Sequence, residues 1–372
     1  MSFTPITLIV ALLHLYIGWR LVPQLGGAAG WGFALVLLAS TVLMPLSMTA
    51  RRMQNRRAAE GLAWAGFVFM GLFSSLFVLT LLRELVLLAG SIAGAPAELA
   101  RWTGQAVPAV GALVTLWGFV NARRRARVVS VEVPIAGLPP SLKGFTIAQI
   151  SDIHVGPTIK APYLQAIVDK VNQLDADMVA VTGDLVDGSV RELGPHVAPL
   201  AELRSRHGTF FVTGNHEYYS GAHAWIAELR RLGIRVLLNE HTVLQHGAAP
   251  IVVAGVADYT AHLFDPSHRS DPQAALAGAP ADATRVLLAH QPRSAEAAER
   301  AGFDLQISGH THGGQFFPWN FFVPLQQPFT AGLHKLRRLW VYTSRGTGYW
   351  GPPKRFGAPS EITRLRLVPA AD

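Results

Sequence analysis

The sequence predicts two parts, an α-helical membrane domain with four spans and a layered α/β domain behind it. Half of the 372 residues are apolar and only 15% are charged, which is unusually apolar for a water-soluble protein of this length. The apolar residues concentrate before residue 123, and short strand-like runs then alternate with helical stretches. We therefore expect a transmembrane domain over 1–122 and an α/β domain over 123–372.

Four stretches lack Asp, Glu, Lys and Arg over about the 20 residues that a helix needs to cross a bilayer. They are Met1–Trp19, Leu21–Ala50, Gly61–Leu82 and Trp102–Ala122. With their flanks they predict helices over about 3–22, 29–50, 61–85 and 103–122. The first stretch has no basic segment before it and three more spans behind it, which favours a retained helix over a cleaved signal peptide. We expect Arg83 and Glu84 to pair locally near an interface.

The basic residues predict the orientation of the spans. Most of them lie between spans two and three or directly after span four: Arg51, Arg52, Arg56, Arg57, Arg123, Arg124, Arg125 and Arg127. The opposite side carries only Arg20, Arg83 and Arg101. By the positive-inside rule, both termini and the C-terminal domain face the cytoplasm.

The net charge of +8 does not indicate nucleic-acid binding. Residues 1–122 carry seven Lys and Arg against three Asp and Glu, and the remainder carries 25 against 21, so the excess is evenly divided. Much of it lies beside membrane spans, where anionic headgroups account for it, and no nucleic-acid-binding module is recognisable. The chain has no cysteine, so any metal ion is held by nitrogen and oxygen atoms.

After the alternating segment Arg127–Ile135, several short runs read as strands that end at Gly, Asp or His. These runs are Phe145–Ile150, Met178–Thr182, Thr209–Thr213, Ile251–Ala254, Arg285–Ala289, Asp304–Ser308 and Trp340–Ser344. Helical periodicity predicts helices over Ala161–Leu174, Ala222–Leu232 and Ala295–Ala301.

Polar segments follow five of these runs, and they carry the residue types that bind metal ions. The candidate ligands are Asp152, His154, Asp184, Asn215, His290, His310 and His312. Sites in α/β sheets form at the carboxyl ends of strands, so five strand ends would bring these side chains together. Separately, each segment has a simpler explanation, such as Asn215 capping a helix that begins near Tyr219. Those explanations do not account for the ordered series.

The series Asp-x-His, Gly-Asp, Gly-Asn-His-Glu, a lone His and Gly-His-x-His resembles the calcineurin-like metallophosphoesterase superfamily. The segments Gly313–Gln315, Gly346–Arg355 and Pro359–Glu361 are similar to a membrane-associated bacterial branch, that of YkuE/YaeI-type phosphoesterases and UDP-diacylglucosamine pyrophosphatases. The resemblance implies a layered β-sandwich flanked by helices.

The resemblance also implies roles for the candidate residues. Asp152, His154 and His312 would hold one divalent ion, Asn215, His290 and His310 a second, and Asp184 would bridge the two. Two such ions generate a hydroxide for in-line attack on phosphorus, and His216 would contact the phosphoryl group and protonate the leaving group. Asp187 and Glu217 are candidates for supporting the ligands. Mn, Fe and Zn all suit this ligand set, and Mn is favoured.

Two segments are candidates for substrate contact. Aromatic residues crowd the stretch after the last ligand, beginning with Phe316, Phe317 and Trp319. Either this loop packs its aromatic rings into the domain, or it forms an apolar wall or membrane-dipping loop. In the segment 259–269, His262 and Arg269 either contact a phosphate or are simply solvated.

We therefore expect a multi-pass enzyme of the bacterial inner membrane that hydrolyses a phosphoester or pyrophosphate bond of a lipid-linked substrate. Its partners would be the bilayer and that substrate, and its oligomeric state stays open. One alternative is a UDP-2,3-diacylglucosamine pyrophosphatase of lipid A synthesis specifically. Others are a tethered phosphodiesterase that acts on soluble nucleotides and a metal-dependent membrane scaffold or sensor.

Overall fold

The computed structural model describes residues 4–50 and 53–370 and divides into two compact units. The first unit comprises Met1–Arg123 and Gly351–Phe356, and the second comprises Arg124–Trp350 and Gly357–Asp372. The predicted fold class, four long apolar helices followed by an α/β domain, is confirmed. Residue 3 of the first predicted span, together with Arg51 and Arg52 of the basic cluster, lies outside the described residues.

Four helices build the first unit, and each is long and apolar enough to cross a membrane. They are α1 (Thr4–Leu25), α2 (Gly27–Thr49), α3 (Arg56–Ile92) and α4 (Leu99–Arg123). The third is longer than its predicted span of 61–85. Hydropathy locates only the apolar window, whereas the helix continues until its backbone hydrogen bonds stop.

A small polar network lies among these helices. Arg20 donates from Nε to Glu84 at 2.8 Å, and Arg83 lies 3.3 Å from the same carboxylate. Arg83 also donates to the carbonyl oxygen of Ala100 at 2.9 Å and to the hydroxyl of Thr103 at 3.2 Å. The expected local pairing of Arg83 and Glu84 is therefore present.

The segment Gly351–Phe356 belongs to the helical unit although it lies near the C-terminus of the chain. Lys354 donates from Nζ to the carbonyl oxygen of Gly71 at 2.8 Å and to Oγ of Ser75 at 2.5 Å. A Cβ atom at Gly118 would lie 2.6 Å from Cγ of Lys354, so the glycine makes room for this side chain. Neither contact has a signature in the hydropathy of the sequence.

The second unit contains two six-stranded sheets. The first sheet has the order β1-β12-β2-β3-β4-β5 and the second the order β10-β11-β9-β8-β7-β6. The strands of the first sheet are β1 (Arg127–Ile135), β2 (Thr146–Ile150), β3 (Met178–Val181), β4 (Thr209–Phe211), β5 (Arg235–Val236) and β12 (Glu361–Pro369). Those of the second are β6 (Glu240–His246), β7 (Ala249–Gly255), β8 (Thr284–Leu288), β9 (Leu305–Ser308), β10 (Gly332–Leu336) and β11 (Leu339–Thr343).

Each sheet contains a block of four strands that run parallel to one another. Strands β2, β3, β4 and β5 run parallel to one another, and so do β7, β8, β9 and β11. The helices of this unit are α5 (Ala161–Asn172), α6 (Val190–Val197), α7 (Asn215–Ser220), α8 (Ala222–Arg231), α9 (Pro272–Ala275) and α10 (Ala295–Ala301). Because parallel strands end at the same edge of their sheet, the two blocks present two rows of loops.

Buried side chains on both faces of the second sheet hold the layers together. Along β7, Ile251 and Val253 join the core cluster that also contains residues of the first sheet. Val252 and Ala254 point to the other face and join a cluster that includes Ala298 of α10. This alternation follows from the two-residue repeat of a strand and makes a sandwich with helices outside it.

All the predicted strand runs and helices of this domain are present, with ends that differ by a few residues. Strands β5, β6, β10 and β12 were not predicted. Strand β5 has only two residues, and β6 and β10 carry mostly exposed or half-buried side chains, so these three lack a clear apolar signal. Strand β12 pairs with β1 on one side and β2 on the other, a long-range arrangement that local sequence does not reveal.

Candidate metal centre

The seven candidate ligands all follow the carboxyl ends of parallel strands. Asp152 and His154 follow β2, Asp184 follows β3, and Asn215 begins α7 after β4. In the second sheet, His290 follows β8, and His310 and His312 follow β9. The loops of the two sheets are in contact: the backbone N–H of His310 donates to both carboxylate oxygens of Asp152, at 2.9 and 3.1 Å.

One group of candidate ligands consists of Asp152, His154 and His312. Nε2 of His154 lies 3.1 Å from Nε2 of His312, which in turn lies 3.5 Å from Oδ1 of Asp152. All three side chains are buried. Donor atoms around a tetrahedral ion with bonds of about 2.0–2.2 Å lie about 3.3–3.6 Å apart, so this spacing suits one divalent ion.

A second group consists of Asp184, His290 and His310. Nε2 of His290 lies 3.1 Å from Oδ2 of Asp184 and 3.2 Å from Nδ1 of His310. The same Oδ2 atom lies 4.0 Å from Nε2 of His154 in the first group. Asp184 therefore faces a ligand atom of each group, which is the position a bridging carboxylate requires.

Asn215 provides an independent test of whether the residues present fit metal ions. Its side chain is buried, and its Oδ1 atom has no hydrogen-bond partner among the described residues. A buried amide oxygen without a partner costs free energy unless a ligand satisfies it. A divalent ion would satisfy it, and a ligand set of imidazole, carboxylate and amide oxygen suits Mn, Fe or Zn. The residues therefore fit a pair of divalent ions.

The pKa values of two of the candidate imidazole ligands shift in opposite directions. Burial and the neighbouring charge of His290 lower the pKa of His310 to about 3, so its ring is neutral, as a metal ligand must be. Burial lowers the pKa of His290, but the charge of Asp184 outweighs this and raises it well above the usual value. In the absence of ions, a protonated His290 thus neutralises the carboxylate that a cation would otherwise neutralise.

The backbone turns sharply at these strand ends. Five of the seven candidate ligands have φ between 51° and 70°, a region that residues other than glycine rarely adopt: Asp152, His154, Asp184, His310 and His312. Each such turn costs about 1–3 kcal/mol and re-aims a side chain that would otherwise continue the alternation of its strand. The turns explain how successive strand ends converge on one point.

Glycines precede three of the ligands because the loops approach one another closely. A Cβ atom at Gly214 would lie 2.2 Å from Oδ1 of Asp184, and one at Gly309 would lie 2.0 Å from Oγ of Ser151. Both distances are far inside van der Waals contact, so no other residue fits without movement. The Gly-Asn and Gly-His pairs of the sequence therefore reflect packing at the centre.

His216 stands beside the ligands without belonging to either group. Its Nδ1 lies 2.5 Å from Oδ1 of Asp187, and its backbone N–H donates to Oδ1 of Asp184 at 2.9 Å. Burial lowers the pKa of His216, but the hydrogen bond that its Nδ1–H donates to Asp187 and the charge of Asp184 outweigh this and raise the pKa to about 9. In this environment His216 keeps its proton at neutral pH.

Asp187 and Glu217 both support the centre from behind, as their positions in the sequence suggested. Oδ1 of Asp187 lies 3.3 Å from Nδ1 of His154 as well as beside His216, so it orients both rings. The carboxylate of Glu217 accepts the backbone N–H groups of Gly214, Asp184 and Leu185, at 2.7, 3.0 and 2.8 Å. It thereby fastens the turn that carries Asp184 to the start of α7.

Comparison with known proteins shows the family of the chain. A model of the family described as calcineurin-like phosphoesterase matches residues 145–314. The chain is 32% identical over 223 residues to an uncharacterized metallophosphoesterase of Aquifex aeolicus, which covers 59% of this chain and 84% of that protein. The chain belongs to the calcineurin-like phosphoesterase family.

Two vertebrate members of the family are also similar to it. The chain is 42% identical over 278 residues to a transmembrane protein with metallophosphoesterase domain of Bos taurus, a match that covers 71% of this chain and 63% of that protein. For the Danio rerio protein of the same description the values are 39%, 269 residues, 70% and 62%. The chain thus spans less than two thirds of these relatives. Their descriptions and the four apolar helices support a membrane protein.

The phosphoesterase domain places further residues at the centre that the sequence did not single out. The ring of Trp350 lies 5.7 Å from that of His216, and the ring of Tyr219 lies 5.1 Å from it on another side. Gln315 fixes Trp350 through two hydrogen bonds to its backbone, at 2.8 and 2.9 Å. The available signal was that Trp350 lies within the segment Gly346–Arg355, which resembles the membrane-associated branch.

The aromatic loop after the last ligand, residues 316–329, has a buried beginning, an exposed middle and a half-buried end at Phe329. Phe316 is buried, which matches the interpretation that the loop packs into the domain. The following large apolar residues are substantially exposed: Phe317, Trp319, Phe321, Phe322 and Leu325, at 48%, 41%, 67%, 52% and 80%. They match the interpretation of an apolar surface, so each interpretation describes part of the loop.

His262 and Arg269 lie together on a cavity of about 430 Å³ that Tyr259 and Ser294 also line. None of the seven candidate metal ligands lines this cavity. The two residues are therefore brought to a common concave surface, but one distinct from the metal centre itself.

Proposed function

We propose that the protein is a membrane-bound, dinuclear-metal phosphoesterase that hydrolyses a phosphoester or pyrophosphate bond of a lipid-linked substrate. The observation that carries the hydrolytic part is the position of Asp184, whose Oδ2 faces one ligand atom of each group at 3.1 and 4.0 Å. Two bound divalent ions would polarise the phosphoryl group and lower the pKa of the attacking water. Mn is the favoured metal.

His216 is the proposed general acid. Its Nδ1 is engaged by Asp187, so its Nε2 is the nitrogen left to face a leaving group. A general acid must carry its proton at the working pH, and the raised pKa of His216 meets that requirement. Trp350 and Tyr219 flank the ring and restrict its rotation.

The exposed part of the aromatic loop supports a lipid-linked substrate. Contiguous exposed apolar side chains are uncommon on soluble surfaces and mark interaction sites. Trp and Phe side chains beside basic residues suit the boundary between headgroups and acyl chains. Lys335 and Arg338 follow the loop and carry the charge that anionic headgroups attract.

The charge distribution supports a location in a bacterial inner membrane with the phosphoesterase domain in the cytoplasm. Arg56 and Arg57 at the start of α3 and Arg123 at the end of α4 lie at helix ends that share one side of a four-span protein. On that side the substrate would be a lipid whose phosphate group reaches the cytoplasmic surface.

The experiment compares a lipid substrate with a soluble one in the full-length protein. Protein in lipid nanodiscs with Mn²⁺ is assayed on bis(p-nitrophenyl) phosphate and on lipid-linked phosphoesters and pyrophosphates. We expect the double variant Phe321→Ser, Leu325→Ser to lose about tenfold in kcat/KM on the lipid, a loss of about 1.4 kcal/mol. Its activity on the soluble diester should be unchanged.

The control is Val243→Ser, at an apolar residue on β6 that is 37% exposed and lies outside the loop. An equal loss on both substrates, or no loss on either, would contradict a lipid-contacting role for the loop. Release of uridine monophosphate from UDP-2,3-diacylglucosamine would narrow the proposal to that pyrophosphatase. Preferential cleavage of soluble nucleotides would favour the tethered phosphodiesterase instead.

A further inference from the structure

A second cluster of metal-binding residue types lies outside the metal centre. It consists of His223 near the start of α8, with Asp265 and His268 in the segment that follows β7. Nε2 of His223 lies 3.0 Å from Oδ2 of Asp265, and Nε2 of His268 lies 3.9 Å from the same oxygen. The two imidazole rings are 5.1 Å apart. None of the three residues belongs to the dinuclear centre.

Hydrogen bonds from neighbouring residues aim two of these side chains at a common point. Oδ1 of Asp265 accepts from both the backbone N–H and the hydroxyl of Ser267, at 2.9 and 2.6 Å, which leaves Oδ2 turned towards the imidazoles. Nδ1 of His268 lies 2.8 Å from the hydroxyl of Tyr218, so its Nε2 is the atom that faces Asp265. Histidines that bind metal ions usually have their other ring nitrogen engaged in this way.

We propose that His223, Asp265 and His268 form a third divalent-metal site, of the zinc class, with water at the remaining position. Donor atoms around a tetrahedral ion lie about 3.3–3.6 Å apart, and the separations of 3.0 and 3.9 Å bracket that value. Two imidazoles and one carboxylate are a ligand set that Zn²⁺ accepts with one open position. The side chain of His223 is 74% exposed, so an ion reaches the site from solvent.

The site would clamp a loop that borders the cavity of about 430 Å³. The segment 258–271 carries Asp265 and His268, and it also carries Tyr259, His262 and Arg269, which line the cavity of about 430 Å³. His223 belongs to a different element, so an ion bound to all three ligands would fasten this segment to α8. Tyr218, which orients His268, lies in α7 together with Asn215 and His216. The third ion would therefore position one wall of this cavity.

Metal content of the purified full-length protein in detergent tests the proposal directly. After equilibration with buffered Zn²⁺ and removal of unbound metal, we expect three ions per chain in the wild type and two in His223→Ala. His223 is exposed, so its replacement leaves the fold intact, which circular dichroism verifies. His262→Ala is the matched control, because it alters the same loop but no ligand, and it should retain three ions.

Two further variants separate this site from the dinuclear centre. Asp184→Ala should lose the ions of the centre yet keep the third, so failure of the proposed function and failure of this inference give different results. Asp265→Asn keeps an acceptor for Ser267 but loses the ligand charge, and it should lose the third ion. With Co²⁺ as the probe, the wild type should show a tetrahedral absorption band that His223→Ala lowers in proportion.

Equal metal content in the wild type, His223→Ala and Asp265→Asn would overturn the proposal and leave the cluster as a surface hydrogen-bonded triad. Hydrogen exchange gives a second measure. Zn²⁺ should slow amide exchange in residues 259–270 about tenfold in the wild type and leave His223→Ala unaffected. Zn²⁺-independent exchange in the wild type would equally contradict a clamping role.

Discussion

The loops that follow the first sheet contribute different donors to the metal centre from the loops that follow the second. After β2, β3 and β4 come Asp152 and Asp184, both carboxylates of the ligand set, together with Asp187 and Glu217. After β8 and β9 come only imidazoles, those of His290, His310 and His312. The first sheet thus supplies all the negative charge of the ligand set, besides His154 and Asn215, whereas the second sheet supplies only imidazole nitrogen atoms.

The difference teaches that neither sheet alone makes a metal site. Carboxylates gathered on one sheet repel each other unless cations or protonated histidines neutralise them. His290 of the second sheet lies 3.1 Å from Asp184, so its protonated form would neutralise that carboxylate. Bound ions would take over that role and cross-link the two sheets. The variants below test this division of roles, from the largest expected effect to the smallest.

Replacing the bridging carboxylate should have the largest effect. We expect Asp184→Ala to lose both ions of the centre and at least about 10,000-fold in kcat on a soluble phosphodiester. His290→Ala removes one donor of the second sheet and should lose one ion, with a smaller loss of activity. Metal analysis and steady-state kinetics measure both. Equal losses of metal in the two variants would contradict the bridging position of Asp184, and Asp282→Ala on the surface is the control.

Removing the proton donor should lower activity without removing metal. We expect His216→Ala to lose about 100- to 10,000-fold in kcat while its metal content equals that of the wild type. The reason is that His216 contacts Asp187 and Asp184 but belongs to neither ligand group. Loss of an ion in this variant would instead indicate that His216 is a metal ligand, and it would contradict the separation of the metal ligands from the general acid.

The pH dependence should reveal how the first sheet tunes this acid. Asp187 raises the pKa of His216, and the protonated ring is the proposed acid, so activity should fall as pH rises through that pKa. Asp187→Asn removes the negative charge that raises the pKa of His216, so the basic limb of the kcat profile should move to lower pH. Bound cations would lower the pKa of His216 in both the wild type and Asp187→Asn. The measurement is therefore the difference in pH between the basic limbs of the two kcat profiles. An unchanged limb would contradict proton donation by His216, and Asp282→Asn should behave as wild type.

The smallest effect is expected on stability rather than chemistry. Glu217→Gln keeps the shape of the side chain, but its NH2 group faces backbone N–H donors and leaves at least one of them unsatisfied. The free energy of unfolding should fall by about 1–3 kcal/mol, measured by thermal unfolding of the metal-free protein. Glu296→Gln, whose side chain is 71% exposed, is the control and should change nothing measurable.

Much of the centre was predictable because its ligands lie in short blocks that each end a strand. Asp152, Asp184 and His290 could be assigned to strand ends from local pattern alone, and parallel topology then implies convergence. The contact between Trp350 and His216 could not be predicted, because it depends on how two distant loops fold back. His223 and His268 likewise meet only through the conformation of the segment after β7.

In the helical unit, hydropathy predicted all four helices. It did not predict where the helices end, or that the segment Gly351–Phe356 belongs to this unit. The segment Gly351–Phe356 is rich in Gly and Pro, so nothing in its composition indicates that it joins apolar helices. Its contacts with the helices, such as the hydrogen bond from Lys354 to Gly71 and that from the backbone N–H of Arg355 to Gly118, form only in three dimensions.

At the five ligands with positive φ, the backbone conformation and metal binding favour different residue types. The backbone there favours glycine, which adopts positive φ without strain, whereas an ion requires Asp or His. A mutation to glycine at Asp152 or His312 would ease the backbone and at the same time remove a donor. A single chance substitution by glycine at one of these turns can therefore give a chain that is stable but inactive. A design that aims to stabilise this protein should leave these strained residues unchanged.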